Sequence, residues 1–341
     1  MNPRSLAAVL SAALVLAACS SGTQPKTASS SPSSSTSSTS ATPTPTPTPT
    51  PTLASLLSGR VGKPNGPIFV AKVDNTAHAH PQLGLTVADI VYIEQVEGGV
   101  TRLAAVYSSQ LPPKVGPVRS ARISDIELLN QYGTVGLIYS GAQSKLHPKL
   151  AAARLRLISN DANHRGFARS HTRPAPYNVI GTLAVLRTRA GHVDSPTRVG
   201  YQFGPTPLGG KPATHVTASY PRARVDAVWS ATRSRWLLSM DGRRDMAAEG
   251  GQLGATTFVI QFVTITSSAY HDVNGVVTPT SRTVGSGTAF IFRDGRVYAG
   301  RWARARSTDP TSYSIGGKPA VFAAGNLWVA LLGKGQPVLV R

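Results

Sequence analysis

The chain has 341 residues and carries 35 Lys and Arg residues against 15 Asp and Glu residues, a formal net charge of +20. Positions 60 to 210 hold 17 basic and 8 acidic residues and positions 211 to 341 hold 16 and 7, so neither half has the one-sided basic block of a nucleic-acid-binding protein. The single cysteine, Cys19, excludes internal disulfides and metal sites built from several cysteines.

The N-terminus predicts export and lipid attachment. Arg4 precedes an apolar run from residue 6 to residue 17, which suits a signal peptide and is too short to cross a bilayer. Small residues then lead into Cys19, and this sequence, LAAC, resembles the lipobox of bacterial lipoproteins. We predict a lipoprotein signal peptide over residues 1–18 and a lipidated Cys19 that holds the protein on the extracytoplasmic face of the cell membrane. The alternative is a lone buried cysteine after an ordinary cleavage site.

Residues 19–58 predict a lipidated tether. Their composition is almost entirely Ser, Thr, Pro and Ala, with Thr and Pro alternating between residues 42 and 52. Such a segment cannot build a hydrophobic core, and alternating proline favours extended polyproline II. We therefore predict a semi-rigid spacer.

The remaining residues predict an α+β protein with two domains. Residues 59–205 alternate apolar runs (68–73, 90–96, 103–107 and 135–139) with helix-compatible stretches (123–131, 145–155 and 179–189), which predicts a mixed α/β domain. Residues 206–341 are rich in apolar β-type runs separated by Gly, Asp-Gly and Gly-Asn turns, which predicts a β-rich domain.

Five short motifs stand close together in the first predicted domain: VDN (73–75), HPQLGL (80–85), ADIVY (88–92), VEGGVTR (96–102) and GPVRSAR (116–122). FARSHTRPAPYNV follows at 167–179, and the second predicted domain adds GSGTAFIFRDGRVYAGRWAR (285–304) and GNLWVALL (325–332). The set resembles the YerB-type bacterial lipoprotein family. The resemblance implies a two-part fold and an envelope location, and it brings no established reaction with it.

The charged residues of these motifs are the candidate binding site. We predict that six side chains converge on one cleft at the edge of the first domain's sheet: Glu97, Arg102, Arg119, Arg122, Arg173 and Asn178. A helix beginning near Ser124, flanked by arginines, would suit a carboxylate or phosphate. Alternatively, the arginines pair with internal carboxylates, including a local Glu97–Arg102 ion pair, in a purely structural network.

Two functional hypotheses follow. The leading one is a non-catalytic binding or accessory protein for an anionic cell-wall polymer or a wall-synthesis protein. The alternative is an enzyme that acts on wall glycan or peptide with Glu97 as its acid or base, although no second carboxylate stands out as its partner. The histidines show no zinc spacing and no glycine-rich loop precedes a helix, so the sequence predicts neither a metal nor a cofactor.

Overall fold

The computed structural model describes residues 53–341, and the predicted signal peptide, Cys19 and the tether up to residue 52 lie outside these residues. The folded part includes residues 53–58, which the sequence predicts to be the end of the tether (19–58). Leu57 is fully buried in the core, and the Ser55 hydroxyl accepts hydrogen bonds from the amides of Leu57 and Ser58. The described residues form one compact unit.

The first part of the chain supplies eight strands and three short α-helices. The strands are β1 (Phe69–Asp74), β2 (Ile90–Gln95), β3 (Thr101–Tyr107), β4 (Lys114–Val115), β5 (Val135–Tyr139), β6 (Leu155–Ser159), β7 (Phe167–Arg169) and β8 (Val179–Thr182). The helices are α1 (Ile123–Leu129), α2 (His147–Ala152) and α3 (Leu183–Leu186). The apolar runs at β1, β2, β3 and β5 therefore form strands, as predicted.

The rest of the chain is built from strands and turns. It contains β9 (Gln202–Phe203), β10 (Lys211–Pro212), β11 (His215–Tyr220), β12 (Ala223–Ser230), β13 (Arg235–Met240), β14 (Arg243–Arg244), β15 (Gly254–Ala255) and β16 (Thr257–His271). It continues with β17 (Val277–Arg282), β18 (Gly285–Arg293), β19 (Arg296–Arg304), β20 (Ser312–Ile315), β21 (Lys318–Pro319), β22 (Val321–Phe322), β23 (Leu327–Gly333) and β24 (Val338–Val340).

The main sheet draws strands from both parts of the chain. Its order is β21-β20-β19-β18-β16-β23-β2-β3-β1-β5-β6, with β10 paired to β19 and β17 paired to β16. The parts meet where β2 runs parallel to β23. A second sheet, β14-β13-β12-β11-β24 with β15 beside β13, packs against one face, while α1 packs against the other.

Alternation along β1 and β3 assigns each side chain to one face of the main sheet. Val73 and Leu103 belong to the core shared with the second sheet, whereas Val70 and Ala104 belong to the core on the α1 side. Lys72 and Arg102 alternate with the first group and therefore lie on the α1 side.

The helical predictions need correction, because strands dominate the described residues and the first part is not a clear α/β layer. The stretch 179–189 begins as strand β8 and only then turns into the one-turn helix α3. The stretch 145–155 ends its helix at Ala152, and Leu155 already belongs to strand β6, which pairs parallel to β5. Tertiary pairing thus overrides local helix propensity. Between residues 53 and 341, no helix is long and apolar enough to cross a membrane.

Candidate functional site

A cleft of about 750 Å3 lies on the α1 side of the main sheet, at the ends of β1 and β3. The segment that leads into α1 forms one wall, and the turn between β16 and β17 forms another. Its lining includes Asp74, Glu97, Arg102, Arg119, Arg122, Asp161, Tyr177, Tyr270 and Val273. Four of the six predicted site residues therefore share one hollow.

Glu97 occupies a tight turn between β2 and β3. Its turn needs Gly99, because this residue has a φ of 75° and an added Cβ would lie 2.7 Å from the Cβ of Pro221. The Glu97 Oε2 atom accepts a hydrogen bond of 2.7 Å from Arg122 Nη2, and Oε1 accepts one from the Thr278 hydroxyl. Glu97 thus pairs with Arg122, and the predicted local pair with Arg102 is wrong.

This environment keeps the Glu97 carboxyl ionised. Burial alone would raise its pKa, but the hydrogen bond and charge of Arg122, together with the Thr278 hydroxyl, outweigh burial and lower the pKa. Both carboxylate oxygens are already engaged.

Arg119 forms the second ion pair of the cleft. Its Nε donates a hydrogen bond of 2.7 Å to Asp74 Oδ2, and its guanidinium carbon lies 5.4 Å from the ring centre of Tyr177. Tyr177 is therefore placed by a cation–π contact on the cleft wall. Asp74 ends β1, so the sheet itself positions this pair.

Of the three cleft arginines, Arg102 makes the fewest hydrogen bonds. Its side chain lies opposite Asp74 of β1 and Glu94 of β2, and the residue is 5% exposed. Nη1 donates to the Ser120 carbonyl at 3.2 Å, while Nε has no hydrogen-bond partner within residues 53–341. Burial lowers the pKa of this guanidinium to about 9. A buried guanidinium with unused donors is costly unless an anion or carbonyl completes its contacts.

A buried charge cluster lies beneath Arg102. Lys72 Nζ is 2.6 Å from Glu94 Oε1 and 2.5 Å from Asp125 Oδ1. Burial would lower the pKa of Lys72, but the two carboxylates outweigh it and raise that pKa. Burial raises the pKa of Glu94 to about 7, against the opposing influence of Lys72.

Cleft and cluster together hold more carboxylates than cations, because Asp161 and Asp272 line the cleft in addition to the groups that face each other. Four cations face four carboxylates: Lys72, Arg102, Arg119 and Arg122 against Asp74, Glu94, Glu97 and Asp125. Protonation of Glu94 would remove one negative charge from this excess. The site can therefore accept an anion most favourably when Glu94 is neutral.

The start of α1 is closed by its own residues. The helix begins at Ile123, one residue before the predicted start, and the Arg122 amide donates to Asp125 Oδ2 at 2.6 Å. Asp125 thus supplies a negative cap within the first turn. The arginine side chains, rather than the helix end, carry the possible anion contacts.

Arg173 and Asn178 do not line the cleft. Arg173 donates to the carbonyls of Ala79 and Pro81, and the Asn178 side-chain oxygen accepts a bond of 2.8 Å from Arg169. Both therefore brace the loop that carries Tyr177. From that loop, only Pro176 and Tyr177 reach the cleft.

Several residues of the cleft and of the buried cluster beneath it were not predicted from the sequence. Lys72 gave a detectable signal, because a lysine within the apolar strand FVAKVD requires a buried carboxylate partner. The residues from Tyr270 to Asn274 gave none, since they lie far along the chain from the predicted site. No cluster of three or more His, Cys, Asp or Glu residues suited to a metal ion occurs within residues 53–341.

The chain belongs to a family of unknown function. The descriptions "Protein of unknown function (DUF3048) N-terminal domain" and "Protein of unknown function (DUF3048) C-terminal domain" match residues 56–195 and 216–329. The predicted resemblance is confirmed.

A Bacillus subtilis protein and its solved structure are similar to this chain. The putative lipoprotein YerB of Bacillus subtilis (strain 168) is 45% identical over 69 residues, a span of 20% of this chain and 20% of YerB. The crystal structure of YerB matches with a TM-score of 0.70 and 20% identity, covering 84% of this chain and 99% of that one. At that identity, the structural match establishes a shared fold.

Proposed function

We propose that this protein is a membrane-anchored lipoprotein of the cell envelope that binds an anionic envelope component. The lipobox at Cys19 supports the anchor, and YerB is itself named a putative lipoprotein. The extracytoplasmic face follows from the predicted export signal. The candidate components are an anionic wall polymer and an acidic surface of a wall-synthesis protein.

Arg102 is the observation that carries the binding role. Arg119 and Arg122 already have carboxylate partners, so they are held in place, whereas Arg102 lines the open cleft and has only the Ser120 carbonyl as a hydrogen-bond partner within residues 53–341. A carboxylate or phosphate oxygen is the group that a guanidinium fork accepts best. Binding would complete the hydrogen bonds that the fold leaves open at Arg102.

An enzymatic role for Glu97 has less support. A general acid needs a carboxyl with a raised pKa, whereas Arg122 lowers the pKa of Glu97 and engages both oxygens together with Thr278. Asp161 and Asp272 also line the cleft, and Asp272 is occupied by the amides of Asn274 and Val276. The geometry therefore favours binding over glycan cleavage.

Sedimentation with isolated cell envelopes tests the binding role. Arg102→Met should weaken binding by about tenfold or more, because a charge-assisted bidentate contact is lost. Arg233→Met, at an exposed arginine in the turn after β12, is the matched control and should bind like the wild type. Equal binding by the Arg102 variant would overturn the proposal.

The same preparation tests the enzymatic alternative. Release of soluble glycan or peptide from the envelopes by the wild type, and its loss in a folded Glu97→Gln variant, would establish catalysis. Binding without release would leave the accessory role. Cross-linking to proteins of detergent-solubilised membranes would then separate a protein partner from a polymer.

A further inference from the structure

The hairpin formed by β16 and β17 projects beyond the main sheet. β16 pairs with β23 as far as Val263, and from Thr264 onward it pairs with β17. Its end borders the cleft, because Tyr270 and Val273 are part of the cleft lining. β16 and β17 thus hold their connecting turn away from the core and at the same cleft as Arg102.

The end of this hairpin exposes aliphatic side chains. Val273 is 100% exposed, Val276 is 42% exposed and Val277 is 41% exposed. The one acidic group of the turn, Asp272, is occupied because its Oδ1 atom accepts bonds of 2.9 Å from two amides of the turn. A single exposed valine needs no explanation, whereas three within five residues mark an interaction surface.

We propose that the hairpin tip docks on an anionic lipid surface, where Val273 enters the interface while a lipid phosphate binds Arg102 in the adjoining cleft. This inference rests on the proposed binding of an anionic envelope component at Arg102, and it takes that component to be an anionic lipid rather than a wall polymer or a protein. A lipid phosphate lies next to the apolar acyl region of a membrane. The phosphate could therefore bind Arg102 while the exposed valines of the tip contact the acyl region. A hydrophilic wall polymer could engage Arg102, but it would leave the valines in water.

The surroundings of the tip suit a membrane interface. Tyr177 and Tyr270 line the same cleft, and tyrosine places an apolar ring beside a polar hydroxyl, as lipid headgroup regions require. Of the basic residues that give the chain its net charge of +20, only Arg4 and Lys26 precede residue 53. The folded part is therefore strongly basic and is attracted to anionic lipid.

A fluorescence experiment can locate the contact without interference from the lipid anchor. The chain beginning at Ser20 contains every residue that the structure describes and has no cysteine, since Cys19 is the only one. Val273→Cys then provides a single attachment point for an environment-sensitive dye. Leu208→Cys is the matched control, because Leu208 is 99% exposed and does not line the cleft.

Vesicles of phosphatidylcholine, with or without phosphatidylglycerol, are the probe. We expect the dye at residue 273 to shift to shorter wavelength only with phosphatidylglycerol, and the dye at residue 208 to remain unchanged. An unlabelled Val273→Asp variant should bind the vesicles about tenfold more weakly in sedimentation. The reason is that transfer of a valine side chain into the lipid interface contributes about tenfold to binding, and this contribution is lost. Arg102→Met should reduce binding to the level seen with phosphatidylcholine alone.

The outcomes separate this inference from the proposed function. No shift at residue 273, with Arg102-dependent binding to envelopes intact, would overturn the lipid docking and leave the function standing. Equal shifts at residues 273 and 208 would indicate adsorption of the basic surface and would also overturn the docking. Failure of both vesicle and envelope binding would remove both proposals.

Discussion

Arg102 and Arg122 should differ sharply in their contribution to stability. Arg122 is the cation of a largely buried ion pair with Glu97, whereas Arg102 makes one hydrogen bond and no ion pair within residues 53–341. Replacing each arginine by methionine keeps a long unbranched side chain and removes the charge. If Arg102 is kept for a ligand, its loss should cost the fold little.

The structure sets the expected magnitudes. Arg122→Met leaves Glu97, which is 8% exposed, without its cation, and removal of one partner from such a buried pair costs about 3 kcal/mol. Arg102→Met removes one hydrogen bond, worth about 1 kcal/mol, and also removes the cost of burying unused donors. At pH 6 Glu94, with its pKa of about 7, is mostly protonated, so the Arg102 variant leaves no excess carboxylate charge in the cluster.

Urea denaturation at pH 6, followed by circular dichroism, provides the measurement. We expect the unfolding free energy of Arg102→Met to lie within about 1 kcal/mol of the wild-type value, and that of Arg122→Met to fall by about 3 kcal/mol. A loss at Arg102 as large as that at Arg122 would refute the reasoning. Arg102 would then be a structural counter-ion, and its unused donors would not mark a binding site.

Further predictions concern the charge cluster, the anchor and the turn. The folded-state pKa of Glu94 is raised from 4.5 to about 7, so its contribution to stability is present at pH 4 and is lost as the pH rises through 7. Glu94→Gln should flatten the fall in urea midpoint between pH 5 and pH 8, and an unchanged slope would contradict the assignment. Cys19→Ser should move the protein from the membrane fraction to the medium or to an unprocessed precursor, as fractionation and immunoblotting would show. Gly99→Ala should lower the unfolding free energy by about 1–3 kcal/mol. Gly98→Ala, also at positive φ but in open space, should cost less, and equal costs would contradict the clash with Pro221.

Local sequence pattern predicted the strands that lie in the centre of the main sheet. The runs at β1, β2, β3 and β5 are apolar and β-branched, and burial on both faces of a sheet selects such runs. The predicted helical stretches include all of β8 but only the first residue of β6, Leu155. β6 and β8 become strands only through pairing with β5 and β4, which no local pattern reveals.

The same distinction applies to the candidate site. Glu97, Arg102, Arg119 and Arg122 could be grouped from the sequence because they surround adjoining strands of one sheet. Their partners could not be assigned. Glu97 pairs with Arg122, which lies just before α1, and the sequence does not show which arginine comes close to it. The opposite wall comes from residues near position 273, and only the long strand β16 brings them there.

The pairing of β2 with β23 has a consequence for how the protein is made. Ile90 lies beside Leu327, so the centre of the sheet closes only when residues separated by most of the chain meet. Contacts of such long sequence separation form slowly. The chain therefore cannot complete its core while its last strands are still being synthesised.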